Sequence, residues 1–195
     1  MIAIVDLGVG NFSNVEKALD GIVTNEPEAI LSAERIVLPG VGNFGEVTEE
    51  LNRLRPVLLE KISRGTPFLG ICLGTQLLFP RSCEDEGRGL GVLDGKVVNL
   101  PEEAAPHIGW NQVFFEKKSP LFEGIQPGTY FYFVHSYRVE PQSEAVITAH
   151  TDFSAGQEAG SFPSAVEKEN VFGVQFHPEK SGEAGIRVLK NFKEF

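Results

Sequence analysis

The chain has 195 residues, 42% of them hydrophobic and 23% charged, with a formal net charge of −10. That size and balance fit one soluble domain, spanning residues 1–195, with a core of its own. The acidic balance argues against nucleic acid or an anionic membrane as the main partner, and no apolar run is long enough to cross a bilayer.

"MIAIVDLG" opens the chain as a buried strand, with Ile2, Ala3, Ile4 and Val5 in an unbroken apolar run before a turn. It lacks a basic n-region and Asp6 interrupts it, so no signal peptide is expected. "SNVEKALDGI" reads as a helix, with Ser13 as N-cap and Glu16 three residues on, as in a capping box. "RIVLPG" is a second buried strand ending at Pro39-Gly40. Two helical segments follow, from about Phe44 to Asn52 and from Pro56 to Arg64, the second with proline at its first position. "PFLGI" is a third buried strand and "LGTQLLF" a helix behind it. Solid apolar strands alternating with helices imply a parallel sheet covered on both faces. The second half is richer in short β-runs: "GKVVNL", "GWNQVFF", "YFYFVHSYRV", "AVITAH", "SAVEKE" and "VFGVQF". These predict a mixed or antiparallel extension. "EAGIRVLKNFKEF" closes as a helix with Ile186, Leu189 and Phe192 on one face. The fold class is α/β: a three-layer, open, mostly parallel sheet flanked by helices, with an antiparallel extension.

In open sheets of this kind, ligands bind at the carboxyl ends of the parallel strands. "LPGVGNFG", "GICLGTQ" and "QFHPEKS" all arrive at that edge. By itself Cys72 in "FLGICLGTQLLF" reads as a small buried hydrophobe. In Gly70-Ile71-Cys72-Leu73-Gly74, however, a strand turns sharply into a helix with glycines on either side of a cysteine, the pattern of a nucleophile elbow. The helix dipole there favours negative charge on the sulfur. The Leu73 N–H, in the first turn, is free to face an oxyanion. Gln76, four residues after Cys72, shares its helical face and suits an amide or carboxylate.

Of the four histidines, His150 lies in the polar "TAHTDF" turn and is expected at the surface. His107 reads as structural or as an interface residue, and His135 as a satisfied core histidine. His177 closes an apolar strand at the functional edge, Pro178 biases it towards extended backbone, and Glu179 is close enough to orient it. Cys72, His177 and Glu179 are therefore candidate nucleophile, base and orienting carboxylate. Their dispersal does not fit zinc spacing, so no metal is expected. The loop "PGVGNFG" is only loosely like a dinucleotide fingerprint and lacks the acidic residue that follows one; backbone approaching a developing oxyanion is the better use. With two cysteines, Cys72 and Cys83, a disulfide framework is not expected, and a reducing cytoplasm is.

Jointly and in this order, "LPGVGNFG", "GICLGTQLLF" and "FGVQFHPEKS" resemble the class I, or triad, glutamine amidotransferases. "DLGVGNFSNV", "EGRGLGVLDGKV", "PHIGWN" and "YFVHSY" extend the likeness over nearly the whole chain, to the glutaminase subunits of histidine biosynthesis. The resemblance implies that Cys72 attacks the side-chain amide of glutamine, that His177 shuttles the proton, and that Glu179 orients His177. It places the oxyanion strand at Pro39-Gly40-Val41-Gly42, with the Val41 and Leu73 N–H groups as donors. Gly42, Gln76, Glu84 and Ser136 fall at glutamine-binding positions. Asn11, Trp110, Tyr132 and Lys180 fall at positions facing the partner near the ammonia passage. It implies no cofactor, and as partner a separate (βα)8-barrel cyclase subunit that uses the ammonia to make imidazole glycerol phosphate and AICAR, the two forming a heterodimer. Two features depart from the family. Thr75 stands where methionine is usual, and "FPRSCEDEG" differs from the family around Glu84, with Pro80 expected to end the helix early and Cys83 unusual there. The alternatives are a glutaminase subunit for pyridoxal phosphate or aminobenzoate synthesis, and a catalytically silent regulatory subunit.

Overall fold

The computed structural model describes residues 1–10, 12–155 and 158–195. In chain order the elements are β1 (Ile2–Val5), α1 (Ser13–Leu19), β2 (Ile22–Thr24), α2 (Pro27–Ser32), β3 (Arg35–Gly40), α3 (Thr48–Ser63), β4 (Phe68–Cys72) and α4 (Leu73–Gln76). Then follow β5 (Gly95–Asn99), β6 (His107–Phe115), β7 (Thr129–His135), β8 (Tyr137–Pro141), β9 (Ile147–Ala155), β10 (Glu158–Lys168), β11 (Val171–Val174) and α5 (Gly182–Glu194). Among the described residues nine strands form one sheet in the order β2-β1-β3-β4-β11-β10-β9-β6-β7, and β5 and β8 pair separately. The strands from β2 to β11 in that order run parallel, and the rest join antiparallel. The α/β sheet with its antiparallel extension is as the sequence predicts.

The unbroken apolar runs follow from a sheet covered on both faces. In β1, Ile2 and Ile4 pack into one core with Val15 and Leu19 of α1 and Val188, Leu189 and Phe192 of α5. Ala3 and Val5 point the other way, to Ile30 of α2 and Leu51, Leu54 and Leu58 of α3. Side chains alternate along a strand, so a strand buried on both sides has no polar positions to show.

The structure corrects several sequence expectations. The two predicted helices around Pro56 are one helix, α3, with Pro56 inside it. An internal proline costs roughly 3 kcal/mol, and burial of Leu51, Leu54 and Leu58 on either side of it outweighs that cost. Residues Phe44 to Val47 precede this helix as a turn. Phe12, not Ser13, is the N-cap of α1 and gives no side-chain cap; Ser13 is the first helical residue. The helix after Cys72 has only four residues, ending well before Pro80. On α5 the buried stripe is Gly185, Val188, Leu189 and Phe192, while Ile186 faces out. His150 lies on β9 rather than in a turn, partly exposed and paired with Glu116. "YFYFVHSYRV" divides at Ser136 into β7 and β8, which belong to different sheets. β2 and α2 escape notice in the sequence because each is short and β2 is an edge strand with Ile22 exposed.

Candidate active site

β3, β4 and β11 are neighbours, in register Gly40↔Cys72 and Val174↔Ile71. Their carboxyl ends therefore bring the glycine loop, Cys72 and the segment leading to His177 to one place. Cys72 sits at the corner with φ +53° and ψ −108°, a strained conformation for a residue with a Cβ. The flanking glycines are dictated by space. A Cβ on Gly74 would lie 1.6 Å from the Leu38 carbonyl oxygen, and one on Gly70 would lie 2.6 Å from that of Gly74. The elbow is thus a close packing of three backbone segments that admits no side chain at either position.

Cys72 is buried, 5% exposed. Its Sγ lies 3.9 Å from the Val134 carbonyl and accepts from Gln175 Nε2 at 3.6 Å. Four residues of helix are too few for a macrodipole of the expected size. What α4 does offer is the N–H of Leu73, its first residue, which has no carbonyl one turn back within the helix.

His177 is 1% exposed, and its Nδ1 lies 2.7 Å from Glu179 Oε1. The Glu179 carboxylate fixes the ring so that Nδ1 carries the proton and Nε2 is directed elsewhere. His177 Nε2 and Glu179 Oε2 are buried and without hydrogen-bond partners among the described residues. Burial disfavours the charged ring, but the Cys72 sulfur and then the Glu179 carboxylate outweigh it and raise the His177 pKa to about 9. The structure thus brings Cys72, His177 and Glu179 into one electrostatic unit.

Val41 follows Gly40 and is 37% exposed, and Gly42 has φ +109°. Val41, Gly40, His177 and Glu179 share a small cavity of about 10 Å³. Gln76 is buried and donates from Nε2 to the Tyr137 carbonyl and to Gln175 Oε1, both at 3.3 Å. Ser136 adjoins Tyr137, and its carbonyl accepts from the Leu100 N–H at 2.9 Å. Glu84 Oε2 accepts from the Phe44 N–H at 2.8 Å, which holds its loop against the glycine segment. Burial raises the Tyr137 phenol pKa, and the nearby Glu84 carboxylate raises it further. Thr75 is buried beneath Cys72, its hydroxyl 2.9 Å from the Gly70 carbonyl and 2.7 Å from that of Val174. Cys83 is exposed.

Trp110 and Tyr132 are directly paired across β6 and β7, edge to face with centroids 6.1 Å apart, and Lys180 Nζ lies 5.9 Å over the Tyr132 ring. Asn11 lies outside the described residues. The same sheet face carries exposed Ile108 and Tyr130, neither singled out from the sequence. The signal was there: inverted alternation in "HIGWN" and "TYFYF", with apolar residues on the outward positions. This face connects to the buried cluster, since the His177 N–H donates to the Tyr132 carbonyl at 2.8 Å and the Tyr132 N–H donates to Ser181 Oγ at 2.9 Å.

His135 is the satisfied core histidine expected, but two connections to buried groups went unread in the sequence. One is made by Gln175. The other is an array in which His135 Nδ1 donates to the Tyr137 carbonyl at 2.8 Å, leaving its Nε2 to accept from His107 Nδ1 at 3.1 Å. His107 Nε2 then accepts from Asn111 Nδ2 at 3.2 Å. Both rings are neutral in this scheme. Burial holds the pKa of His107 below its ordinary value and that of His135 at about 3. No cluster of side chains able to hold a metal ion occurs among the described residues.

A strained cysteine at a strand-to-helix corner, an imidazole backed by a carboxylate, and a glycine loop alongside are the parts that acyl transfer through a thiol nucleophile requires. Residues 12–194 match the family model "Glutamine amidotransferase class-I". A solved structure described as a glutamine amidotransferase superposes with a TM-score of 0.75 at 18% identity, covering 99% of this chain and 97% of that one. The imidazole glycerol phosphate synthase subunit HisH of Thermococcus kodakarensis is 55% identical over 194 residues, 99% of each chain. The HisH subunit of Pyrococcus furiosus is 54% identical, covering 98% of this chain and 97% of its own. The chain belongs to the class-I glutamine amidotransferase family and, within it, to the HisH subunits of imidazole glycerol phosphate synthase.

Proposed function

We propose that the chain is the glutaminase subunit of imidazole glycerol phosphate synthase, and that residues 1–195 act as one amidotransferase domain. The Cys72 thiolate attacks the side-chain carbonyl carbon of glutamine. The C–N bond breaks, and the leaving nitrogen takes a proton from His177 and departs as ammonia. Water, losing its proton to His177, then hydrolyses the glutamyl thioester to glutamate and frees the sulfur. The observation that carries this reading is the coupled set Cys72, His177 and Glu179 at the end of adjacent strands.

Oxyanion stabilisation falls to the N–H groups of Leu73 and Val41. Gly42, Gln76, Glu84 and Ser136 are the glutamine-binding set, supported by the packing of Gln76 and the Ser136–Tyr137 turn against each other. The partner is a separate (βα)8-barrel cyclase subunit in a heterodimer, which consumes the ammonia to make imidazole glycerol phosphate and AICAR. Trp110, Tyr132 and Lys180, with Ile108 and Tyr130, form the face for it. An exposed aromatic cluster on an edge of the sheet is the sort of surface a subunit interface buries. Asn11 belongs with them on the family's pattern. The site needs no cofactor. A sequence with only two cysteines and a biosynthetic role support a cytoplasmic location.

The test is glutamine hydrolysis by the chain with and without the cyclase subunit and its ribonucleotide. Wild type turns over glutamine in the complex. Cys72→Ala abolishes that turnover while the complex still makes product from ammonia. Turnover by Cys72→Ala refutes the triad.

A further inference from the structure

We propose that Gln175 is a positioning residue for the nucleophile: its side-chain amide holds the Cys72 sulfur in place and ties it to Gln76, so that nucleophile and substrate-reading amide form one unit. Gln175 is fully buried and next in chain to Val174, which pairs with Ile71, so its backbone lies level with Cys72. Its N–H donates to the Ser164 carbonyl at 2.9 Å, which anchors it to β10 as well.

The orientation of the amide follows from what surrounds it. The Tyr137 carbonyl accepts only, so the end of Gln76 that meets it is Nε2. The same Nε2 faces Gln175, so the Gln175 atom there is Oε1. Its other end, Nε2, is then turned to Cys72 Sγ at 3.6 Å. One carbonyl thus fixes two amides and presents a donor to the sulfur. A donor is what a negatively charged sulfur requires in a buried site, and the Gln175 amide supplies it. Gln175 does not reach the reacting carbonyl. It acts by restricting where the sulfur sits before attack, and a small misplacement of a nucleophile is costly in rate.

The proposal rests on Cys72 being the nucleophile of a glutaminase. That reading is checked first, by wild-type turnover of glutamine and its loss in Cys72→Ala. Gln175→Met, of similar volume with no donor or acceptor of that kind, and Gln175→Glu are then assayed in the complex with the cyclase subunit. Losing a hydrogen bond to a charged group costs about 10- to 100-fold in rate. Gln175→Met is expected to lower kcat by that factor and to raise KM, because Gln76 is released too. Gln175→Glu keeps an acceptor for Gln76, so kcat falls with KM within about threefold of wild type. Its activity relative to wild type recovers as pH falls, because the protonated carboxyl regains a donor. A third measurement needs no variant: the side-chain amide resonance of Gln175 in the wild-type chain shifts when iodoacetamide alkylates Cys72. A folded Gln175→Met with kcat within twofold of wild type overturns the proposal. So does a pH profile of Gln175→Glu parallel to wild type, or an amide resonance that alkylation leaves unmoved.

Discussion

Glu179→Gln isolates the charge behind His177. The carboxylate is buried, Oε1 is 2.7 Å from Nδ1, and Oε2 has no other partner among the described residues, so its charge acts chiefly on this ring. A hydrogen bond to a charged group is worth roughly 1.5–3 kcal/mol, and about 1.4 kcal/mol changes a protonation equilibrium tenfold. Replacing the carboxylate by an isosteric amide therefore lowers the His177 pKa from about 9 to between about 7 and 8. The stability of the fold follows with a definite sign. A folded-state pKa above the ordinary 6.5 means that the charged ring stabilises the fold fully below pH 6.5. That contribution is lost as pH rises through about 9. In Glu179→Gln the loss occurs correspondingly earlier. Titration of the His177 ring protons by NMR in both proteins, with denaturant unfolding at several pH values, measures both effects. Equal midpoints in wild type and Glu179→Gln refute the reasoning, since the Cys72 sulfur would then hold the ring's charge against burial without the carboxylate.

Gly74→Ala places a Cβ 1.6 Å from the Leu38 carbonyl oxygen, a backbone atom that cannot swing aside. It is expected to destabilise the chain by at least about 4 kcal/mol or prevent folding; thermal unfolding within about 1 kcal/mol of wild type refutes the packing of the elbow. Lowering the pH from 7 to 5 protonates His135 in the unfolded chain but not in the fold, where burial holds its pKa at about 3, so stability falls with pH below 6.5. The loss from this residue is about 2 kcal/mol at pH 5, and His135→Asn flattens the acid limb of the stability profile. Thr75→Val removes a buried hydroxyl that serves two carbonyls, and a loss of about 1–2 kcal/mol lowers Tm by roughly 2–8 °C while glutamine turnover persists; an unchanged Tm shows that the hydroxyl is dispensable.

Much of the architecture was legible along the chain. Unbroken apolar runs within Ile2–Val5, Arg35–Gly40 and Phe68–Cys72 mark strands covered on both faces, because local pattern records burial directly. The glycines around Cys72 mark a corner with no room for a Cβ, and His177 and Glu179 are two residues apart, so their partnership is nearly local. Pro56 misled, since the cost of a proline is local while the burial that overrides it comes from a helix face packed on the sheet.

The remainder was decided only by tertiary structure. Nothing in the sequence says that Cys72 and Gln175, 103 residues apart, touch; β4 and β11 must first lie side by side. The charge state of His177 likewise depends on burial and on a sulfur from another strand. The neutral His107–His135 pair exists because β6 and β7 pair in a register that sets the two rings opposite each other. The sequence by itself determined which residue types stand at the strand ends. The fold decided their distances, their protonation and their common orientation, because these arise from contacts between segments remote along the chain.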